Sequence, residues 1–365
     1  YFSFFSTMYS SKICGKVNEA NPINISLIML SSIPKFSEIK SREDITLKTR
    51  FTKNTNLDIP IVSAPMDTIT ESDMAISMMS LGGVGVIHRF MSIEEQEKEV
   101  LEVHFKRESE PRGKYNHLPI CAAVGIKDDY LERSERLVEN GCDVLLIDVA
   151  HGHHKRVGEV IEQIKKKLSR VEVVAGNIAT GDGARFLCEK GADGIRAGIG
   201  NGSLCETRIR TGVGVPQVSA LLDIVDVCDG FDVPVIADGG IRYIGDVCKG
   251  LACGADSVML GSLLSGTKET PGTIEKIGKW PNEQLFKKYR GSASRDSKGS
   301  DKNVEGNHKV IPYKGKTIRI LSDIKDGIRS SFSYVGANDI GEYHSKVELV
   351  EVTQAGVIEA HPHLL

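Results

Sequence analysis

Short apolar, β-branched runs alternate with longer stretches of helical period along most of this chain. The runs Ile59–Ser63, Val84–His88, Ile120–Val124, Val144–Asp148, Val171–Ala175, Gly194–Ala197, Val233–Ala237 and Ser257–Leu260 read as strands. They are continuously apolar rather than alternating, the pattern of strands buried on both faces of a parallel sheet. Between them lie the helical segments Glu71–Ser80, Ile93–Val103, Asp128–Asn140, Lys155–Ser169, Asp182–Lys190, Val218–Cys228 and Ile244–Cys253. Gly141, Gly191 and Gly254 each follow a helical segment and precede a strand, the usual place for a glycine stop.

Eight βα units in succession predict an α/β fold, a closed (β/α)8 barrel. The barrel is expected to occupy residues 31–365 as one catalytic domain, behind an N-terminal arm at 1–30. A doubly wound sheet is the alternative, but no GxGxxG opens a helix after the first strand. Barrel active sites lie at the C-terminal ends of the strands, so Asp148, Asn177, Asp238 and Gly261 are expected to meet there. After Gly261 the periodicity fades. Residues 266–315 are rich in charge and glycine, and Lys287–Ser294 with Lys298–Gly306 read as a mobile loop able to cover a site. Ile318–Ile328 reads as helix and Val347–Val352 as an edge strand.

The chain has 365 residues, enough to bury a large core. Its net charge of −3 comes without a long block of either sign, which argues against a nucleic-acid or membrane partner. Ile25–Leu30, the longest apolar run near the start, is too short to span a bilayer. Eight cysteines form no CxxC pair and mostly sit in or beside apolar runs. They read as buried thiols in a reducing, cytoplasmic setting. Residues 1–11 are rich in Ser and Phe and lack acids, and Met8 is a candidate natural start.

One thiol stands apart. Cys205 follows Gly198-Ile-Gly-Asn-Gly-Ser-Leu204, a stretch suited to a loop rather than a packed element. A loop thiol beside backbone amides and Arg208 can be held as a thiolate and act as a nucleophile, the bland alternative being a small core residue. Thr207 and Glu206 stand near enough to handle protons. Asp238-Gly239-Gly240 and Gly261-Ser262 end the last two strand candidates, where barrels bind phosphate through backbone N–H groups. Ser203 adds a hydroxyl, and a carboxylate at Asp238 suits a vicinal ribose diol. Each glycine turn taken singly has a plain chain-turning explanation. His151, His153 and His154 lie on a loop without metal-site spacing, so helix capping or cofactor positioning fits them better.

Gly198–Arg208, Ala237–Ile241, Met259–Ser262 and Lys288–Gly291 occur in an order that resembles the family of IMP dehydrogenases and GMP reductases, from about Ser41 onwards. The resemblance implies a (β/α)8 barrel in a homotetramer. It also implies a cysteine that attacks C2 of a purine nucleotide to form a covalent thioimidate. A monovalent cation such as potassium would rest on the carbonyls of Gly200, Gly202 and Cys205.

The family has two branches. Dehydrogenases oxidise IMP with NAD+ and use a flap base, usually an Arg-Tyr pair, to activate water. Reductases expel ammonia from GMP and take hydride from NADPH. Residues Arg295–Lys302 contain no Arg-Tyr pair. Gly291–Ser294 with Lys298–Gly306 resembles one subgroup of reductases, as do His88–Phe90, Arg210–Gly212 and Ser330–Tyr334. No pair of regulatory domains is inserted between Phe105 and Ile120. His361-Pro-His363 is more similar to the dehydrogenase ending, and Asn201, Glu206 and Ser292 depart from the residues common at their places.

Carried over residue by residue, the resemblance makes Cys205, Thr207 and Glu305 catalytic. It assigns GMP or IMP to Ser203, Asp238, Gly239, Gly240, Gly261, Ser262, Tyr289, Gly291, Ser292, Ala293, Lys302 and Gly306. It assigns the nicotinamide of NADPH to Asp148, Val149, Ala150, Asn177, Gly198 and Gly200. The alternatives are a dehydrogenase without regulatory domains and a barrel that binds a nucleotide without catalysis.

Overall fold

The computed structural model describes residues 25–127, 129–278, 282–291, 294 and 306–362. Eight parallel strands close into a barrel: β1 Ile61–Ser63, β2 Val84–Ile87, β3 Cys121–Val124, β4 Val144–Asp148, β5 Glu172–Ile178, β6 Gly194–Ala197, β7 Val235–Asp238 and β8 Ser257–Leu260. They pair in chain order, and β8 closes on β1 through Val258↔Ile61 and Leu260↔Ser63. This is a (β/α)8 barrel.

Burial explains the strand composition. Every residue of β4 and β5 is buried, since one face fills the barrel and the other meets a helix. The outer helices carry one apolar stripe each. Lys155–Lys167 buries Val157, Val160, Ile161 and Ile164 and places Lys165, Lys166 and Lys167 in its last turn, where cations complement the helix dipole. Each buried aliphatic side chain of this kind contributes about 1.5–3 kcal/mol.

Two regions differ from the sequence expectation. The segment read as a mobile loop from Lys287 is a strand as far as Arg290. Gln284–Arg290 is the middle strand of an antiparallel sheet with Glu275–Ile277 and His308–Pro312. Lys287 and Tyr289 turn inward and Lys288 outward, so a lysine on the buried face hid the strand pattern. Residues 292, 293 and 298–305 of that predicted loop lie outside the described residues. At the other end, Ile25, Leu27 and Leu30 are buried, and Leu30–Ser32 pairs with Leu349–Glu351. Residues 25–30 therefore pack onto the barrel. Among the described residues no helix is long and apolar enough to cross a membrane.

Candidate active site

β5 continues past Ala175 to Ile178, which carries Asn177 to the barrel mouth beside Asp148 and Asp238, the last residues of β4 and β7. One pocket opens there, and every described residue of the predicted site lines it. It brings together Cys205 and Thr207 with Ser203, Asp238, Gly239, Gly240, Gly261, Ser262, Tyr289, Gly291 and Gly306. Asp148, Val149, Ala150, Asn177, Gly198, Gly200 and Gly202 complete the wall. Glu305, Ser292, Ala293 and Lys302 lie outside the described residues.

Cys205 is held from two sides. Its N–H donates to the Gly202 carbonyl at 3.1 Å, and an antiparallel bridge ties it to Gly306. The thiol donates to Thr207 Oγ1 at 3.1 Å. Cys205 is half-buried, whereas the other six described cysteines are buried. Burial pushes the Cys142 and Cys253 thiols up to about 12, which leaves Cys205 as the accessible thiol among the described residues. Glu206 does not serve the thiol as the sequence reading allowed: its carboxylate pairs with Arg210 at 2.6 Å.

Arg208 folds back into its own loop. Its Nη2 donates to the Ile199 carbonyl at 3.4 Å, and also to the Asn201 side chain and the Val215 carbonyl. A Cβ at Gly200 would meet Arg208 Cγ at 2.5 Å, and one at Gly198 would meet the Asp238 carbonyl oxygen at 2.0 Å. Only glycine fits these two close approaches.

A buried charge network crosses the mouth, and sequence reasoning missed its centre. Arg196 on β6 is 6% exposed. It donates through Nη1 to Asp148 Oδ1 at 2.8 Å and through Nε to Asp238 Oδ2 at 3.0 Å. Asn177 Nδ2 donates to the same Asp238 oxygen at 2.8 Å, and Arg89 Nε lies 3.3 Å from Asp148 Oδ2. Burial works against the Arg196 charge, but the Asp238 and Asp148 carboxylates outweigh it and hold the guanidinium above its ordinary pKa. The signal was present in Gly194-Ile-Arg-Ala197, because an arginine inside an apolar strand needs buried counter-charges. Both protein bonds at Asp238 fall on Oδ2, so among the described residues Oδ1 has no donor.

At the opposite wall the Ser203 and Tyr289 hydroxyls are 3.0 Å apart. Burial raises the Tyr289 pKa while the Ser203 hydrogen bond opposes that shift. Near them, the N–H groups of Gly239, Ile241, Ser262 and Leu263 find no acceptor among the described residues. Gly239, Ile241 and Ser262 line the pocket, with Leu263 the next residue, and orphan amides at a pocket wall form a ready cradle for an anion.

Among the described residues no group of three or more His, Cys, Asp or Glu is placed to hold an ion. His154 Nδ1 instead accepts the Arg156 N–H at 3.1 Å and caps the helix Lys155–Lys167.

A family model described as the IMP dehydrogenase / GMP reductase domain matches residues 29–363. The chain belongs to this family. It is therefore an oxidoreductase-family barrel of purine metabolism. An inosine-5'-monophosphate dehydrogenase of Cryptosporidium parvum is 39% identical over 91% of this chain and 92% of its own length. One from Borreliella burgdorferi is 39% identical over 92% and 95%. Among solved structures, a GMP reductase of Trypanosoma brucei in complex with guanosine 5'-monophosphate superposes with a TM-score of 0.87 at 28% identity. That match covers 96% of this chain and 100% of the other.

Proposed function

We propose that the protein is a GMP reductase, converting GMP, NADPH and a proton to IMP, NADP+ and ammonia. The carrying observation is the Cys205–Thr207 pair, placed in one pocket with the orphan amides of the β7 and β8 turns. The Trypanosoma brucei reductase with its bound GMP supports the same substrate.

Cys205 sulfur adds to C2 of GMP as a thiolate. The 2-amino group takes up a proton, the C2–N bond breaks, ammonia leaves, and C2 stays bound to sulfur as a thioimidate. The Thr207 hydroxyl, 3.1 Å from Sγ, accepts the thiol proton and passes it on, with Glu305 as the second proton carrier. NADPH, when bound, supplies a hydride to C2. The C2–S bond then breaks, its electron pair returns to Cys205, and IMP is released.

In this reading Asp238 accepts a ribose hydroxyl through Oδ1. Ser203, Tyr289, Gly261, Ser262 and the Gly239–Gly240 turn hold the phosphate. Of the residues assigned to the base, Gly291 and Gly306 line the pocket. Asp148, Val149, Ala150, Asn177, Gly198 and Gly200 flank the nicotinamide. Asn177 and the paired Asp148–Arg196 would offer its carboxamide polar partners there. The carbonyls of Gly200, Gly202 and Cys205 are all-oxygen donors of the type that suits potassium. A cytoplasmic homotetramer belongs to the same proposal.

The two dehydrogenases at 39% identity favour a second reading, oxidation of IMP with NAD+. The absence of an Arg-Tyr pair from Arg295–Lys302 favours the reductase. Incubation with each substrate pair decides. GMP with NADPH should consume NADPH and release ammonia. NADH and xanthosine monophosphate from IMP with NAD+ would establish the dehydrogenase, and tight GMP binding without either turnover would leave a binding barrel.

A further inference from the structure

Two lysine ammonium groups bind the backbone that follows β8, and neither lines the pocket. Lys314 Nζ donates to the Ser262 carbonyl at 2.9 Å and the Leu263 carbonyl at 3.2 Å. Lys287, only 1% exposed, donates to the carbonyls of Thr267 at 3.2 Å, Lys268 at 3.4 Å and Thr270. An ammonium has three donors, so backbone alone saturates this one.

Peptide geometry turns these contacts into an aim. A trans peptide holds its C=O and N–H on opposite sides of the chain. Drawing the Ser262 carbonyl to Lys314, together with the Ser265 hydroxyl that donates to it at 2.6 Å, therefore turns the Leu263 N–H the other way. The Gly261 carbonyl accepts from Leu264 at 3.1 Å and Ser265 at 3.0 Å, which does the same for the Ser262 N–H. These are two of the N–H groups that find no acceptor among the described residues. Lys287 fixes the far end of the turn, because Thr267, whose carbonyl it holds, donates through Oγ1 to the Leu264 carbonyl at 2.9 Å. Two residues further along the same strand, Tyr289 meets Ser203.

We propose that Lys287 and Lys314 are positioning residues: they hold the Ser262 and Leu263 N–H groups, and the strand bearing Tyr289, at the spacing a nucleotide phosphate requires. The inference deepens the nucleotide reading and rests on it. Neither ammonium touches the anion. Burial lowers the pKa of both lysines, with Glu269 the first group opposing that shift at Lys287.

The test compares affinity for GMP and for guanosine by equilibrium dialysis, with thermal melting as a check on folding. Wild type should prefer GMP. Lys314→Met should keep the melting transition and lose about tenfold in GMP affinity, roughly the loss of one good hydrogen bond, with guanosine unchanged. Lys287→Met should lose about a hundredfold, and if it does not fold, Lys314→Met decides. In turnover the loss should appear in KM for GMP rather than in kcat. An unchanged GMP-to-guanosine ratio in Lys314→Met, an equal loss of both ligands, or a wild type without phosphate preference would overturn the proposal. A wild type that prefers GMP yet turns over neither substrate pair defeats the reductase reading alone, and the affinity ratios still judge the lysines.

Discussion

The thiol of Cys205 and the hydroxyl of Thr207 stand 3.1 Å apart across one intervening residue, with sulfur as donor. The hydroxyl belongs to the first residue of the short helix Thr207–Thr211, so a rigid element presents it to the loop thiol. That aims the S–H of Cys205 at the Thr207 hydroxyl.

Replacing Thr207 with Val removes the acceptor and keeps the side-chain volume. We expect kcat to fall about 10²-fold with little change in nucleotide affinity, checked by steady-state kinetics and dialysis. Unchanged kcat would show that the thiol proton takes another route.

Alkylation with iodoacetamide at neutral pH should modify Cys205 well before any other described cysteine. Burial pushes the Cys248 thiol up to about 11 and the Cys142 and Cys253 thiols up to about 12, and raises Cys121 well above its ordinary value; Cys188, which the Cys228 hydrogen bond lowers, is protected by burial at 7% exposure. Peptide mass spectrometry with and without GMP gives the readout, and GMP should slow the labelling. Faster reaction at a buried cysteine would refute the assignment of the nucleophile.

Arg196→Met leaves Asp148 and Asp238 buried without their shared partner. Breaking such a pair costs about 3–5 kcal/mol, so denaturant unfolding should show a clear loss. KM should rise for nucleotide and cofactor together, because one guanidinium holds both carboxylates. Arg196→Lys should rescue little, since a single ammonium cannot span two carboxylates as a fork does. A rise in only one KM would contradict this shared role.

Asp256 governs a pH effect far from the chemistry. Burial raises its pKa to about 7, against the help of the Val235 N–H at 2.8 Å. The folded state therefore binds the proton more tightly than the unfolded chain, whose value is 3.8. Stability linked to this group is full below the unfolded value, falls by about 1.4 kcal/mol per unit as pH rises from there to about 7, and is lost above it. Asp256→Asn should flatten the melting temperature against pH in that window and stabilise the protein above it. An unaltered pH profile in the variant would disprove the linkage.

Much of the site was legible because its residues end predicted strands. Asp148 and Asp238 close apolar runs, and the βα repeat of a barrel sends strand ends to one face whatever the loops do. Cys205 was legible through the glycines around it. Arg196 was not, because its partners lie 48 and 42 residues away and no local pattern reports them. The strand Gln284–Arg290 was missed for a related reason. Its inward lysine is satisfied by backbone carbonyls, so it imitates a solvated residue in the pattern.

The sequence by itself determined the order and kind of elements, because periodicity and glycine stops act over a few residues. It also marked the thiol and the glycine turns, since these carry their chemistry locally. Only the tertiary structure decided that Arg196 joins Asp148 to Asp238, that Tyr289 reaches Ser203, and that Leu30–Ser32 pairs with Leu349–Glu351. Such pairings follow from barrel closure, which brings distant segments into contact and makes a buried charge tolerable by its neighbours in space.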